Sequence, residues 1–170
     1  MDLSILLTLH GLSGKSAFID ALIVFFGSQL QYIVVGALLL WSLVGKNKNP
    51  VMAWGAIAAA LISRLALTEL VRFFYNRPRP FVALQFTPLI AHETSASFPS
   101  GHAAFFFGIA WFVYMHDRRL SMYFFIAAIL ICLARIAVGI HYPTDIIGGA
   151  VVGFFGAWTT HKLAKRMRRG

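Results

Sequence analysis

The sequence predicts an all-α integral membrane protein, a bundle of about five transmembrane helices preceded by a short N-terminal interfacial helix. Three observations support this prediction. Hydrophobic residues make up 59% of the 170 positions, charged residues make up only 12%, and long apolar windows recur along the chain. This composition argues against an ordinary soluble domain, since soluble proteins carry roughly 25% charged residues.

The N-terminal segment, residues 1–14, is predicted to form the interfacial helix. It is apolar but carries Asp2, and no basic residue precedes its apolar run. A cleaved signal peptide has a basic first region, so this pattern favours a short helix that lies at the membrane surface.

Five apolar windows are the candidate spans, and most approach the roughly 20 residues that a helix needs to cross the hydrocarbon core. The third is the shortest and reaches crossing length only if it begins near Ser100. No linker or repeat interrupts the series, so a single membrane-embedded domain is expected over residues 1–170. The windows are Ile19–Val44, Val51–Phe74, Ala103–Tyr114, Met122–Ile140 and Ile146–Leu163.

Basic residues occur in three segments that five spans place on one side of the membrane. They are the first loop with Lys46 and Lys48, the third loop with Arg118 and Arg119, and the tail, residues 162–170. The positive-inside rule makes this side cytoplasmic, with the N-terminus outside. The net charge of +9 then reflects topology or contact with anionic lipid, and no nucleic-acid partner is expected.

Small residues in the last two spans are interpreted as packing residues. Gly149 and Gly153 are four positions apart, the spacing that lets two membrane helices approach closely. The single cysteine, Cys132, lies within the fourth window, so neither a disulfide framework nor a thiol metal site is expected.

The second span carries Arg64, Glu69 and Arg72 in an otherwise apolar helix. A charged residue at mid-bilayer costs about 2.5 to 3.5 kcal/mol on insertion scales, so such residues face the bundle interior and have partners. Glu69 and Arg72 are three apart and are expected to pair. Arg64 requires a partner from another helix, for which Asp20 is a candidate. A structural ion-pair role is favoured over a catalytic one for Arg64 and Glu69.

The long connection, residues 76–98, faces outward under this topology. Its prolines, in RPRPF, prevent the second helix from continuing, and the apolar piece that follows is able to lie along the membrane surface. Arg72, Arg77 and Arg79 gather at its start, and of these Arg77 is assigned a structural, supporting role. Arginine forks bind phosphate oxygens with two parallel hydrogen bonds, although arginines that snorkel at a helix end are the alternative.

The stretch SASFPSGH precedes the third span and has the features of an anion site. Pro99 turns the chain into the helix, and the free backbone N–H groups of Ser100 and Gly101 stand at the positive end of the helix dipole. Glycine also lets a ligand approach the backbone closely. His102 follows in the first turn, where an imidazole is able to donate a proton to a departing oxygen.

The stretch ARIAVGIHYPTD connects the fourth and fifth spans. Arg135 lies six residues before His141, and Pro143 opens the next helix, which places Asp145 in its first turn. From there the carboxylate can reach one imidazole nitrogen of His141 and leave the other as a base or nucleophile.

All three clusters fall on the outward side. Two histidines, an orienting aspartate and several arginines around a helix N-terminus are the groups needed to break a phosphate ester or anhydride without a metal. Metal binding is the competing use of histidines, but no close ligand set such as HExxH occurs, and the arginines would repel a cation. Neither a metal nor another cofactor is expected.

RFFYNRPRP, PSGH and ARIAVGIHYPTD together resemble the three signature motifs of the type 2 phosphatidic acid phosphatase superfamily, in the family's order. The phrases RPFVA and ASFPS look most like its bacterial undecaprenyl-diphosphatase branch. The family usually has lysine at the position of Arg72 and serine at that of Ala134. The resemblance implies that His141 is a nucleophile forming a phosphohistidine, Asp145 its orienting partner and His102 the acid. It also implies a set of phosphate ligands: Arg72, Arg79, Ser100, Gly101 and Arg135.

The function expected from this resemblance is removal of the terminal phosphate from a lipid diphosphate, undecaprenyl diphosphate, at the outer face of the bacterial cytoplasmic membrane. Phosphatidic acid, phosphatidylglycerol phosphate and lipid A phosphates remain alternative substrates. The non-enzymatic alternative is a lipid-binding transporter. A haloperoxidase is disfavoured because those relatives are soluble, and this sequence lacks the charged surface residues of a soluble protein. The expected partners are the phosphorylated lipid and the bilayer, and the oligomeric state is left open.

Overall fold

The computed structural model describes residues 1–44 and 50–167, and within these ranges the chain forms helices and no strand. The all-α prediction is confirmed. Lys46, Lys48 and the last three residues of the basic tail lie outside the described residues. The helices are α1 Asp2–His10, α2 Ala17–Val24, α3 Leu30–Val44, α4 Pro50–Leu61, α5 Thr68–Phe74, α6 Pro80–Ala83, α7 Gly101–Tyr114, α8 Arg118–Ala137 and α9 Pro143–Met167.

Helices α2 and α3, like α4 and α5, are parts of one longer helix joined by a π-helical turn, Phe25–Gln29 and Ile62–Leu67 respectively. A π turn interrupts the regular hydrogen-bond ladder and is often found at functional sites. In the first of these two π turns, Phe25–Gln29, the carbonyl of Gly27 accepts a hydrogen bond of 3.2 Å from Arg135 Nη1. The first π turn therefore connects directly to a residue of the third motif.

Three helices in the described part of the chain are long and apolar enough to cross a membrane: Ala17–Val44, Pro50–Phe74 and Arg118–Ala137. Helix α7 is apolar but has only 14 residues. It begins at Gly101, next to Ser100 as the prediction required, but it remains shorter than the roughly 20 residues expected of a crossing helix. Helix α9 has 25 residues, and its small and polar residues lower its mean hydropathy. These two helices correspond to the remaining predicted spans.

The fourth span was predicted to reach Ile140, which is wrong, because α8 ends at Ala137. Gly139 has a φ of +90°, a conformation that suits glycine and ends a helix. The Gly139 N–H donates to Ile136 O and the Ile140 N–H donates to Arg135 O, the pair of bonds of a Schellman motif. This ending releases His141 from the helix and turns it back toward the bundle.

Helix α7 lies at the centre of the bundle, with α9, α8 and α4 around it. Its contact with α9 is close because α9 presents glycines to it. A Cβ on Gly149 would lie 2.6 Å from the Cβ of Ala103, and one on Gly153 would lie 2.7 Å from the Gly108 nitrogen. The predicted packing role of both glycines is confirmed. Cys132 is also buried as predicted, at 2% exposure.

The three motifs meet at one end of the bundle, where α5 ends, α7 begins, α8 ends and α9 begins. Arg118 and the basic end of α9 lie at the other end. The predicted N-terminal helix spans Asp2–His10, and its Leu6 is fully buried with Ile136 and Tyr142. In the long connection, Phe81, Leu89 and Ile90 pack against the bundle. The motif end is therefore covered by α1 and by this connection.

Replacing Gly153 by valine is expected to lower stability by about 1 to 3 kcal/mol, the usual cost of overpacking. The added Cβ would meet backbone atoms of Gly108 and Ala104, which cannot rotate away as a side chain can. Thermal unfolding in detergent measures the loss. Gly36→Val is the matched control, because a Cβ there meets nothing within 4 Å. Equal melting temperatures for the two variants would contradict the close α7–α9 contact.

Candidate active site

Arg79 lies at the centre of the motif end and is 2% exposed. Its Nη1 donates to the carbonyl oxygen of Ile140 at 3.1 Å and lies 3.4 Å from His141 Nε2. Its Nη2 contacts Ser95 Oγ at 3.2 Å and Ala96 O at 3.3 Å. Arg79 thus joins the first motif to the histidine of the third.

His141 and Asp145 are adjacent, as their spacing predicted. His141 Nδ1 lies 3.4 Å from Asp145 Oδ2, without hydrogen-bond geometry. The same oxygen accepts from the Tyr142 backbone N–H at 2.8 Å and from the hydroxyl of Ser97. Burial, together with the nearby charges of Arg79 and Arg135, lowers the pKa of His141 to about 3. The imidazole is therefore neutral at physiological pH, and a proton on Nδ1 leaves the Nε2 lone pair facing Arg79.

Arg77 points toward the aspartate rather than toward the other arginines. Its Nη1 donates to Asp145 Oδ1 at 2.9 Å and to Thr144 Oγ1 at 2.7 Å, while its Nη2 donates to Asp2 Oδ2 at 2.7 Å. Its guanidinium carbon lies 3.8 Å from the ring centroid of Tyr142. The structure thus gives Arg77 ion-pair partners, in agreement with a structural role.

Arg135, 5% exposed, pairs with a histidine that the sequence analysis did not single out. Its Nη2 lies 3.0 Å from His92 Nε2, and His92 Nδ1 lies 3.2 Å from the carbonyl of Glu93. Burial and the nearby charges of Arg79 and Arg135 lower the pKa of His92 to about 4. A neutral His92 with its proton on Nδ1 therefore accepts a hydrogen bond from Arg135.

The charged residues of the second long helix form a chain of ion pairs. Glu69 Oε1 lies 2.6 Å from Arg64 Nη1 and 3.1 Å from Arg72 Nη1, so the predicted Glu69–Arg72 pair is confirmed. The proposal of Asp20 as the partner of Arg64 is wrong, since Asp20 accepts from the Gly14 N–H on the N-terminal side of its own helix. Arg72 Nη2 also donates to Pro99 O at 3.2 Å, which attaches the ion pairs to the second motif.

The start of α7 differs from the sequence prediction in two respects. The backbone N–H of Ser100 already donates to Asp145 O at 2.9 Å, so it is not a free donor. Its hydroxyl oxygen accepts a long hydrogen bond of 3.4 Å from the Ala103 N–H. The hydroxyl proton is not used in this bond and is able to donate to a ligand. The space beside Gly101 is occupied by Arg64, whose Cδ would lie 2.6 Å from an added Cβ. Gly101 thus makes room for a guanidinium group of the protein itself.

His102 stands in the first turn of α7, as predicted, and its Nε2 lies 3.0 Å from Gln31 Oε1. Beside it is a cavity of about 250 Å³ whose walls are mainly apolar, with one charged side chain. The cavity is lined by Gln31, Tyr32, Val35, Arg64, Gly101, His102, Phe105 and Phe106.

Four buried side-chain nitrogens lack a hydrogen-bond partner within residues 1–44 and 50–167. They belong to residues of the three motifs: Arg72 Nε, Arg79 Nε, Arg135 Nε and His141 Nδ1. Buried polar groups are nearly always paired in proteins, and exceptions concentrate where a ligand binds or reacts. Three arginines with unused donors match the needs of a bound anion.

Five residues of the site escaped the sequence analysis as site members. Asp2 served only as evidence against a signal peptide, Thr144 lies within the third motif but was given no role, and the other three lie outside the motifs. For His92, the available sequence signal was a polar, titratable residue in the long connection, which joins two of the motifs. The five are Asp2, Gln31, His92, Ser97 and Thr144.

This fold and site define a helical membrane protein with a cluster of buried arginines and histidines at one end of its bundle. Residues 53–169 match the PAP2 superfamily, and the chain therefore belongs to that superfamily. It is similar to the undecaprenyl-diphosphatase BcrC of Bacillus subtilis (strain 168), with 31% identity over 99% of this chain and 86% of that protein. It is also similar to the bacitracin transport permease protein BcrC of Bacillus licheniformis, with 26% identity over 92% and 79% of the two chains.

Among solved structures, that of LpxE from Aquifex aeolicus superposes with a TM-score of 0.74 and 25% identity, covering 95% of this chain and 94% of that one. The predicted family membership is confirmed. The chain is a bacterial membrane phosphatase, a hydrolase of the PAP2 superfamily.

Proposed function

We propose that this phosphatase removes the terminal phosphate of undecaprenyl diphosphate at the outer face of the cytoplasmic membrane, through a phosphohistidine on His141. The observation that carries the proposal is a set of three arginines at the motif end whose buried Nε–H groups have no hydrogen-bond partner, one of which, Arg79, lies 3.4 Å from the fully buried His141. An anion with several oxygens satisfies such donors, and the arginines offset the charge that would otherwise repel a nucleophile.

In the first step, His141 Nε2 attacks the terminal phosphorus and the bond from phosphorus to the bridging oxygen breaks. The lipid monophosphate departs with the bond's electrons. Asp145, held on one side of the imidazole, stabilises the positive charge that the ring gains. Arg79 is the nearest donor to the attacked group, because its Nη1 is 3.4 Å from the attacking nitrogen.

His102 is assigned the proton transfers. It donates a proton to the departing oxygen, then takes one from the water that breaks the phosphorus–nitrogen bond and releases inorganic phosphate. The cavity beside His102 supports this assignment, because its apolar walls suit a lipid chain and its charged edge suits a phosphate. Arg72, Arg135 and the hydroxyl of Ser100 would hold the phosphoryl oxygens.

The choice of undecaprenyl diphosphate and of the outer face rests on similarity and charge. The Bacillus subtilis relative, described as an undecaprenyl-diphosphatase, aligns over nearly the whole chain. The basic residues of α9 and the start of α8 lie at the end of the bundle opposite the site, which the positive-inside rule assigns to the cytoplasm.

The substrate is tested by phosphate release from a panel of lipids: undecaprenyl diphosphate, phosphatidic acid, phosphatidylglycerol phosphate and a lipid A phosphate. We expect kcat/KM for undecaprenyl diphosphate to exceed the others by about tenfold or more. A diphosphate offers acceptors both to the unpaired arginine donors and to Arg64 at the cavity, whereas a lipid with a single phosphate leaves some of these donors unpaired. Equal values for all four lipids would contradict the substrate, and no release from any would contradict the proposed reaction.

A lipid-binding transport function is the second candidate, favoured by the description of the Bacillus licheniformis relative as a bacitracin transport permease protein. The variant His141→Ala separates the two functions. A binding or transport protein keeps most of its function without the nucleophile, whereas a phosphatase loses turnover.

A further inference from the structure

Helix α1 and the residues that follow it pack against the motif end of the bundle. Leu6 is fully buried against α8 and α9, while His10 Nδ1 lies 2.9 Å from Ala137 O, the last residue of α8. Ser13 Oγ donates to the same carbonyl at 2.8 Å. These contacts bring Asp2 to the first turn of α9.

Asp2 acts as a cap for α9 from the opposite end of the sequence. Its Oδ1 accepts from the Thr144 backbone N–H at 3.0 Å and its Oδ2 from the Thr144 hydroxyl at 2.7 Å. The first N–H groups of a helix have no partner within the helix, and a carboxylate there is favoured by the helix dipole. The capped residue directly precedes Asp145.

Arg77 connects this carboxylate to that of Asp145. It lies between Asp2 Oδ2 and Asp145 Oδ1, at 2.7 and 2.9 Å. Asp145 Oδ1 is thereby occupied, and Oδ2, which approaches His141, remains to accept from Tyr142 and Ser97. The orientation of the Asp145 carboxyl group is thus fixed on its Oδ1 side by a guanidinium group that Asp2 holds in place.

The charge of Asp2 matters as well as its position. Burial opposes its ionisation, but hydrogen bonds from Arg77 and Thr144 outweigh burial and lower its pKa. Asp2 is therefore ionised at neutral pH and offsets the positive charge of Arg77. Without it, that charge would act on Asp145 alone and weaken the attraction of this carboxylate for the imidazolium that forms at His141.

We propose that Asp2 is a positioning residue for the phosphatase reaction, a carboxylate on α1 that caps α9 and, through Arg77, orients Asp145 toward His141. This inference rests on the roles of His141 and Asp145 under the proposed function. Neither Asp2 nor Arg77 is among the residues assigned to the phosphate or to proton transfer.

The first test is Asp2→Asn in the full-length protein, assayed for phosphate release from undecaprenyl diphosphate. Asparagine keeps an oxygen for the Thr144 N–H, removes the charge, and replaces the oxygen that accepts from Arg77 and from the Thr144 hydroxyl by an NH₂ group that cannot accept. We expect kcat to fall about tenfold, as for residues that orient a reacting group from outside it, and KM to change less than about twofold. Asp20→Asn is the matched control, because Asp20 also lies in a first helical turn and accepts from a backbone N–H, that of Gly14.

The second test asks whether Asp2 acts through Arg77. In an Arg77→Gln background, adding Asp2→Asn is expected to lower kcat by less than about twofold, because the connection is already broken. If Asp2 and Arg77 instead acted independently of each other, the double variant would lose activity by the product of the two single losses. An unchanged kcat, an equal loss in Asp20→Asn, or multiplied losses in the double variant would overturn the proposal. High activity of His141→Ala would instead contradict the proposed function itself.

Discussion

Replacing His141 by alanine is expected to reduce phosphate release from undecaprenyl diphosphate by about four to six orders of magnitude, the loss typical when a covalent nucleophile is removed. The two other histidines of the site already have partners, since His102 Nε2 contacts Gln31 Oε1 and His92 Nε2 contacts Arg135 Nη2. Phosphate release under single-turnover conditions measures the loss, and His141→Gln, which fills more of the buried space, guards against unfolding.

His116→Ala is the matched control for this experiment. His116 lies at the other end of α7, where its Nδ1 is 2.9 Å from Phe112 O, and it has no contact with the motifs. Its removal is expected to leave kcat unchanged. Acid quenching of the wild-type reaction with labelled terminal phosphate should also trap an acid-labile phosphohistidine, and this label should be missing from His141→Ala. Turnover by His141→Ala above about a hundredth of wild type would contradict the assignment.

Replacing Arg135 by glutamine is expected to lower kcat by about 10² to 10³, the cost of losing a charged donor to the transition state. Arg135 is buried, and its Nε has no partner while both Nη groups are held by Gly27 O and His92. This arrangement leaves one buried donor of Arg135 available to an anion. Lysine is expected to restore little, because it lacks the planar fork that makes all three contacts.

The control for Arg135 is Arg119→Gln at the opposite end of the bundle, where the side chain is exposed. It tests whether loss of one positive charge alone reduces activity. Equal losses in Arg119→Gln and Arg135→Gln, or full recovery by Arg135→Lys, would show that Arg135 contributes only general positive charge. A larger loss in Arg135→Gln supports a directed donor.

The sequence was sufficient for features that depend on neighbouring residues. Pro143 is a local signal, and it placed Asp145 in the first turn of the helix that follows. The spacing of Glu69 and Arg72 predicted their ion pair for the same reason. The end of α8 was predicted too late because the apolar residues continue through Val138 and Ile140. The helix-ending effect of Gly139, which lies between them, was not taken into account.

Contacts between distant segments were not predictable in the same way. Arg64 was expected to need a partner from another helix, yet a π turn in its own helix places Glu69 five positions away within 2.6 Å. His92 and Gln31 belong to segments whose distance from the motifs depends on how the long connection and the first helix pack. Nothing in their immediate neighbours indicates that packing.

What the sequence by itself determined about this protein is its class: a helical membrane phosphatase whose three motifs lie at helix ends on one side of the bundle. Hydropathy, prolines and glycines specify helix lengths and ends locally, and the motifs carry the chemistry. Only the tertiary structure decided which donors remain available to an anion and which are already used, because Asp2 and Thr144 are 142 positions apart in the chain. A buried charge selects its partner by distance in space, and that distance exists only once α1 has packed against α8 and α9.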